Sequence, residues 1–348
     1  MMDEAIANLP DENDDLYEHH RIVADPGQSL MRIDKFLSNR LEGVSRSKIQ
    51  NAAKAGSILV NQKAVKSNHR IHPKDIVTIV LPGPVREFEL IPENIPIHIL
   101  YEDDDVLVIN KEAGMVVHPG HGNYTGTLLN ALEYYYKDHK DVMPALAHRI
   151  DKDTSGVLII GKTEYAQTAL GKQFFDHSIS RKYLALVWGD FADDEGTITG
   201  HIGRNPANRL QMFVFPDGSQ GKEAITHYKV LERFGYVTLL ECKLETGRTH
   251  QIRAHLTFTG HPLFNDEKYG GDKILKGTSF SKYKQFVHNC KQILPRQALH
   301  AKSLGFVHPV TRKEMYFETP LPTDMSEVIE KWRHYARHKE LFNDNAVG

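Results

Sequence analysis

Residues 148–156, His-Arg-Ile-Asp-Lys-Asp-Thr-Ser-Gly, set a polar string between two apolar runs. Met143, Ala145, Leu146 and Ala147 precede it, and residues 157–160, Val-Leu-Ile-Ile, follow it. A short, mostly β-branched run of that kind reads as a buried strand. The chain must therefore hold a loop full of functional groups against a core, and loops on rigid scaffolds are where chemistry concentrates. Asp151 is the candidate reactive group. Arg149 and Lys152 stand close on either side of it. Nearby cations favour the carboxylate form, and an ionised carboxylate can act as nucleophile or base. The bland alternative is a turn, since Asp153, Thr154, Ser155 and Gly156 are all good turn and capping residues.

At 348 residues the chain has room for two domains. Its formal net charge of −2, from 43 Lys+Arg and 45 Asp+Glu, conceals an asymmetry. Residues 1–20 carry seven acids and neither Lys nor Arg, whereas residues 31–80 carry ten bases and three acids. A basic block beside an acidic tail points to a polyanion partner, against the alternative of a solvated basic face. Two cysteines, Cys242 and Cys290, make no disulfide framework and no Cys-x-x-Cys metal site, which fits a reducing cytoplasm. No apolar run approaches the roughly 18–20 residues of a membrane span, and the acidic start is unlike a signal peptide. The 20 histidines are scattered, and His118/His121 and His250/His255 lack a supporting ligand set, so no metal is expected.

Residues 1–25 read as an acidic, flexible N-terminus, with a short strand beginning near His20. Residues 31–82 read as a compact unit. Ile33, Phe36, Leu37 and Leu41 recur at helical spacing, and Ser45 caps a second helix with Ile49, Ala52 and Ala53 inward. A strand at 58–60, a tight Asn61-Gln62 turn, a return strand at Ala64-Val65 and a strand at 76–81 follow. Prolines 82, 84, 92 and 96 mark a linker over 83–96. The larger domain, 97–325, opens with a strand at 106–109 and a helix at 127–136. A helix capped by Thr163 and a strand at 180–189 come next. Tyr183, Ala185 and Val187 share one face of that strand, and Leu184, Leu186 and Trp188 share the other. Trp188 and Phe174 read as core. Residues 197–235 read as turns and short strands, and 237–244 as a strand. Gly247 then permits a turn, and Thr249 caps a short helix on which His250 and Arg253 lie one turn apart. Residues 274–294 read as a basic insertion with weak helical signal. Strands at 303–308 and 314–318 precede a final helix, 323–340, with acids early and arginines late.

Residues 148–156 resemble the His-Arg-Leu-Asp-x-x-Thr-Ser-Gly signature of the pseudouridine synthases that include the ribosomal large-subunit synthases A, C and D, with Ile150 in place of Leu. Asn110-Lys-Glu-Ala-Gly-Met-Val-Val-His-Pro119 is similar to that family's Asn-Lys-Pro-x-Gly-x-x-x-His-Pro segment, with Glu112 in place of Pro. Arg32-Ile-Asp34-Lys-Phe-Leu37, Ser45-Arg-Ser-Lys-Ile49 and Lys74-Asp75 resemble an S4 RNA-binding domain. Tyr101-Glu-Asp-Asp-Asp105, Asn130-Ala-Leu132 and Arg296-Gln-Ala-Leu-His-Ala301 followed by His308-Pro309 bring the chain nearest the D-type members.

The resemblance implies an α+β chain: a small S4 domain, then a catalytic domain built on a central, mostly antiparallel mixed β-sheet flanked by helices and loops. It implies Asp151 as nucleophile, Tyr183 as the ring that stacks on the target base, and Arg253 as the partner of Asp151. Tyr183 lies in Arg181-Lys-Tyr183, one residue shorter than the family's Arg-Lys-x-Tyr. Arg149 matches an arginine that holds the RNA once the uridine is flipped out. Arg32, Lys35, Arg46, Lys48 and Lys54 are expected phosphate contacts, and Arg248 a further one. The implied partner is large-subunit rRNA or a pre-50S particle, handled by a cytoplasmic monomer.

Isomerising uridine breaks an N–C glycosidic bond and makes a C–C bond to the same ring. Electrons and groups are conserved, so no cofactor is expected. A guanidinium can fix a carboxylate in its charged form, and an aromatic face can hold a freed base. The target must be extruded, which costs least in loops. Asp151 could attack the sugar, attack the uracil ring, or act as a base toward a glycal. Two other functions compete: a non-enzymatic S4-domain RNA chaperone or assembly factor, and a base-excising glycosylase. Uridines of other rRNA or of tRNA are the alternative substrates.

Overall fold

The computed structural model describes residues 16–344, apart from 42, 43, 55, 83–89, 120–122, 140, 141, 143, 209 and 210. The chain divides into two compact units, Met1–Glu89 and Leu90–Gly348.

The first unit contains β1 (Leu16–Val23), β2 (Met31–Arg32), α1 (Ile33–Ser38), α2 (Arg46–Lys54), β3 (Ile58–Val60), β4 (Lys63–Ala64), β5 (Arg70–Ile71) and β6 (Ile76–Pro82). Its main sheet runs β1-β6-β3-β4, and β2 pairs with β5. Ile33, Phe36, Leu37, Ile49, Ile58, Ile71 and Val77 form its core. Asn61 and Gln62 both take positive φ, 47° and 69°, as a tight two-residue hairpin turn requires. The flexible terminus expected over 1–25 stops short of that: residues 16–23 pair along β6 in antiparallel register, because Ile22 joins the core and an edge of β6 needs a partner. Residues 1–15 lie outside the described residues.

The second unit contains β7 (His98–Glu102), β8 (Val106–Lys111), α3 (Leu128–Tyr135), β9 (Ala145–Leu146), β10 (Ser155–Gly161), α4 (Glu164–Phe175), β11 (Ser180–Trp188), β12 (Glu195–Arg204), β13 (Met212–Phe215), β14 (Lys222–Arg233), β15 (Val237–Leu244), α5 (Gln251–Phe258), α6 (Ser281–Ile293), β16 (Leu299–Val307), β17 (Glu314–Glu318) and α7 (Thr323–Asp344). One mixed sheet runs β13-β12-β14-β15-β11-β16-β10-β8-β7, with β17 on β16 and β9 on β10. Among the described strands only β10 and β16 pair in parallel, with one isolated parallel bridge, Val116 to Thr127, outside them.

Side-chain alternation on β11 explains the layers. Tyr183, Ala185 and Val187 face a cluster that takes in Leu128 and Leu132 of α3 and Ile252 and Leu256 of α5. Leu184, Leu186 and Trp188 face Val287 and Cys290 of α6 and Met325, Ile329 and Trp332 of α7. Burying each large side chain contributes about 1.5–3 kcal/mol.

Four further expectations change. Residues 197–235 form long strands, β12 and β14, because one face of each packs on α5 and β13 while polar residues on the other hide the pattern. The region 274–294 is no loose insertion: α6 buries Tyr283, Val287 and Cys290 at helical spacing. Where the spacing points to Thr249 as the cap of α5, His250 holds that position in the left-handed region, φ 50°. The linker expected over 83–96 is, past residue 90, tied to the larger unit: Asn130 Nδ2 donates to the Ile91 carbonyl at 2.9 Å, and Glu93 Oε1 accepts from Gly126 N at 2.9 Å. Residues 83–89 lie outside the described residues. Among the described residues, no helix is long and apolar enough to cross a membrane.

Register brings the loop before β10 to the same end of the sheet as the start of β11. Ser155 pairs with His300 of β16, and His300 pairs with Leu184. The end of β15 joins them, since Cys242 pairs with Tyr183. Gly156, at φ +117°, closes this junction, and a Cβ there would run into the Ala301 backbone carbonyl. Gly156→Ala is expected to destabilise the protein by about 2–5 kcal/mol, read as a fall in the denaturant midpoint at unchanged slope.

Candidate active site

The Asp151 loop is pinned from beneath by two buried cations. Lys111, at the end of β8, is 1% exposed. Its Nζ donates to the carbonyls of Lys152 at 2.9 Å, Met115 at 2.9 Å and Glu112 at 2.6 Å. Burial pulls this amine down to about 7. Arg296 Nη1 donates to the Asp153 carbonyl at 2.9 Å, while its Nε and Nη2 grip Asp324 at 2.7 and 2.9 Å. The loop closes on itself through Thr154 N to the Asp151 carbonyl at 3.1 Å. Both cations sit in segments that the sequence singles out, residues 110–119 and 296–301. Their roles needed the tertiary structure.

Arg253 of α5 reaches Asp151 from 102 residues away, donating from Nη1 to Oδ2 at 2.9 Å. Asp266 holds the guanidinium from behind: Nε donates to its Oδ2 at 2.8 Å and Nη2 to its Oδ1 at 2.9 Å. The Tyr269 ring lies 4.9 Å from the guanidinium carbon. Arg253 is thus clamped in plane and offers one remaining edge to Asp151. Burial works against its charge, but hydrogen bonds and charge from Asp266 and then Asp151 hold it above its ordinary value. A fork held by two carboxylates fixes direction as well as charge. Asp266 itself is 1% exposed and Asp151 is 20% exposed, so the second faces the cleft and the first does not.

The left-handed backbone at His250 turns its imidazole toward the same carboxylate, with Nε2 3.9 Å from Asp151 Oδ1 and Nδ1 3.0 Å from the Tyr269 hydroxyl. Burial pushes His250 down to about 4, although Asp151 opposes this. Gln251 braces the turn by accepting from Thr246 Oγ1 and Arg248 N and donating to Ile225 and Thr226.

These groups line a cleft of about 440 Å³. Asp151, Tyr183, Arg253, Arg149 and Arg248 all lie on its wall, as do Arg181, Phe174 and His148. Tyr183 is mostly buried and its phenol is pushed up by burial. Arg149 is exposed. Arg248 spends its Nε on the Glu223 carbonyl at 2.9 Å. Phe174 packs on the core, as expected, and also walls the cleft, stacked on His148 at 4.5 Å. Trp188 is core, donating from Nε1 to the Gly271 carbonyl at 2.8 Å.

The remaining expected RNA contacts belong to the smaller unit. Lys35 is exposed. Arg32 and Arg46 are half committed elsewhere, donating to the fully buried Asp34 at 3.0 and 2.9 Å. Burial would raise the Asp34 carboxyl, but Gln50, Arg32 and Arg46 hold it well below the usual carboxylate range. The side chains of Lys48 and Lys54 lie outside the described residues. Among the described residues one trio could hold a metal, Asp103, Asp105 and His308. The Asp103 carboxylate already accepts from Tyr101, Asp105 N and Val106 N and pairs with His308, which makes it a lock on the turn into β8.

Sequence reasoning missed Asp266, Lys111, Arg181 and Arg296. One signal for Asp266 was available: Arg253 sits between apolar neighbours on α5, and a buried guanidinium demands an anion.

Burial pushes His118 down and pushes four further histidines far down: His148 to about 3, and His250, His255 and His300 to about 4. The unfolded chain takes up these protons near pH 6.5, while the folded chain resists until about pH 4. Stability is therefore full above about pH 6.5 and is lost as pH falls toward 4. Each such shift is worth on the order of 3 kcal/mol. Urea midpoints measured from about pH 7 to about pH 4.5 are expected to fall steeply, and His300→Asn to flatten part of the fall.

Two families match this chain. Residues 31–77 match the S4 domain, and residues 105–258 match the family described as RNA pseudouridylate synthase. An uncharacterized RNA pseudouridine synthase of Chlorobaculum parvum is 46% identical over 313 residues, 88% of this chain and 95% of that protein. The ribosomal large subunit pseudouridine synthase D of Xylella fastidiosa is 39% identical over 330 residues, 92% of this chain and 95% of that protein. The solved structure of human RNA pseudouridylate synthase domain containing 4 shares the fold, with a TM-score of 0.52 at 24% identity over 68% of this chain and 93% of that one.

Proposed function

The chain belongs to the RNA pseudouridylate synthase family and carries an S4 domain, and from that premise we propose that it isomerises uridines of large-subunit ribosomal RNA with Asp151 as the reacting carboxylate. Several relatives at 39% identity are named ribosomal large subunit pseudouridine synthase D, which supports the substrate class. The observation that carries the site assignment is the 2.9 Å bond between Arg253 and Asp151, closed from behind by Asp266, in a cleft that also holds Tyr183.

The geometry supports a division of labour. Arg253 keeps Asp151 aimed while the C1′–N1 bond of the target uridine breaks. The uracil then turns under the Tyr183 ring, a sequence-tolerant platform, and C5 bonds to C1′. The C5 proton leaves and N1 gains one, so atoms and electrons balance within the nucleotide. His250 Nε2 lies 3.9 Å from Asp151 Oδ1, close enough to relay that proton to or from the carboxylate. Arg149 and Arg248 at the cleft wall supply cations to an RNA strand whose target base has been swung out. In the S4 domain, exposed Lys35 and the free edges of Arg32 and Arg46, together with Lys48 and Lys54, anchor the backbone without reading sequence.

Ribosomal RNA from cells lacking the protein, treated with a carbodiimide that marks pseudouridine, is the test. Primer-extension stops are expected to vanish at specific large-subunit positions and to return with the wild-type protein. Stops unchanged in the deletion strain would overturn the substrate assignment. Stops lost from tRNA instead would redirect it. Free uracil in place of pseudouridine would identify a glycosylase.

A further inference from the structure

Three arginines are buried among the described residues: Arg181, Arg253 and Arg296. Arg253 is neutralised by Asp266 and Asp151, and Arg296 by Asp324. Arg181 has no such partner. It is 7% exposed and makes no ion pair among the described residues. Its Nη2 donates one long bond, 3.3 Å, to the Glu245 carbonyl, and its shielded Nε has no hydrogen-bond partner. Burial pulls the guanidinium down from its ordinary value, and no carboxylate opposes that. A buried cation left unpaired is costly, and a protein that retains one has a use for it.

The surroundings are built around this group. Arg181 lies on the cleft wall, its carbon 5.4 Å from the Phe174 ring. The chain at Gly247 passes so close that a Cβ would sit 2.6 Å from Arg181 Nη1, so only glycine leaves the guanidinium its place. Thr154 Oγ1, on the same wall, is also buried without a partner. Among the described residues Asp151 is the only carboxylate lining the cleft, and Arg253 engages it. Arg181 precedes Tyr183 by two residues on β11, hence on the same face and roughly 6.6 Å along the strand. That spacing suits the reach from a nucleotide's base to its own phosphate.

We propose that Arg181 is the phosphate-binding residue of the cleft, with Thr154 beside it, taking a phosphodiester oxygen that flanks the target uridine while Tyr183 holds the base. The proposal rests on the RNA-modifying reading of the same site and adds the subsite that fixes the flipped nucleotide's backbone.

The test uses the full-length protein and a uridine-bearing stem-loop RNA. Affinity is measured across salt, and turnover is measured as tritium released from C5-labelled uridine. Arg181→Gln is expected to weaken binding about tenfold or more and to lower the slope of log affinity against log salt by about 0.7, the loss of one phosphate contact. The turnover loss falls mainly on KM, and Arg181→Lys recovers most of it. A neutral methylphosphonate at one flanking linkage weakens wild type and leaves Arg181→Gln unaffected. The melting temperature of Arg181→Gln is no lower than wild type, because an unpaired buried charge has been removed. An unchanged salt slope, or methylphosphonates that weaken both proteins alike, overturns the proposal. A lower melting temperature with unaltered affinity overturns it too and makes Arg181 a structural residue. If wild type converts no uridine at all, the parent reading fails on its own, and the binding measurements still decide Arg181.

Discussion

Asp151→Asn is expected to cut turnover by at least about 10,000-fold while leaving a folded protein that binds RNA. The substitution is nearly isosteric. An asparagine Oδ1 can still accept from Arg253 Nη1, and Asp266 continues to hold the other two guanidinium donors. The loop stays pinned by Lys111 and Arg296, neither of which touches the Asp151 side chain. What disappears is the negative charge, and with it the capacity to act as nucleophile or base. Single-turnover tritium release, read beside filter binding, separates the two. Turnover within about tenfold of wild type would remove Asp151 from the chemistry.

Arg253→Met is expected to fail in a different way. It leaves Asp266, 1% exposed, with no cation, and deprives Asp151 of its aim. Breaking a buried pair by removing one partner typically costs about 3–5 kcal/mol. The variant should therefore lose both thermal stability and turnover while RNA affinity survives, since Arg253 faces carboxylates on three of its donors. Arg253→Lys recovers little, because an ammonium cannot reproduce a planar fork. Adding Asp266→Asn to Arg253→Met should restore part of the stability, as the stranded charge is gone, and none of the turnover. If affinity and turnover fell together at unchanged stability, Arg253 would be an RNA contact.

Particular elements show what was readable in advance. β11 alternates apolar residues on both faces, and both faces are buried, one toward α5 and one toward α7. Thr163 caps α4 as read, accepting from Ala166 N. The polar string before residues 157–160 is a loop at the head of a fully buried strand. Local signals failed where one face alone was buried. α6 hides its stripe of Tyr283, Val287 and Cys290 among lysines and polar residues, and β14 shows a partial alternation that reads as turns. His250 displaced Thr249 from the cap of α5 because the requirement there is to turn a ring toward Asp151 and Tyr269, a tertiary demand that no propensity encodes.

By itself, the sequence singled out Asp151 as the candidate carboxylate and determined the likeness to a family, the order of S4 and synthase domains and most strands, because each depends on residues adjacent in the chain or spaced by one structural period. The tertiary structure alone decided that Asp266 backs Arg253, that Lys111 and Arg296 hold the loop by its carbonyls, and that Arg181 stands buried with no acid beside it among the described residues. Charge compensation in a dry interior is a matter of distance in space. Residues 102 positions apart met at 2.9 Å, and no periodicity along the chain records that meeting.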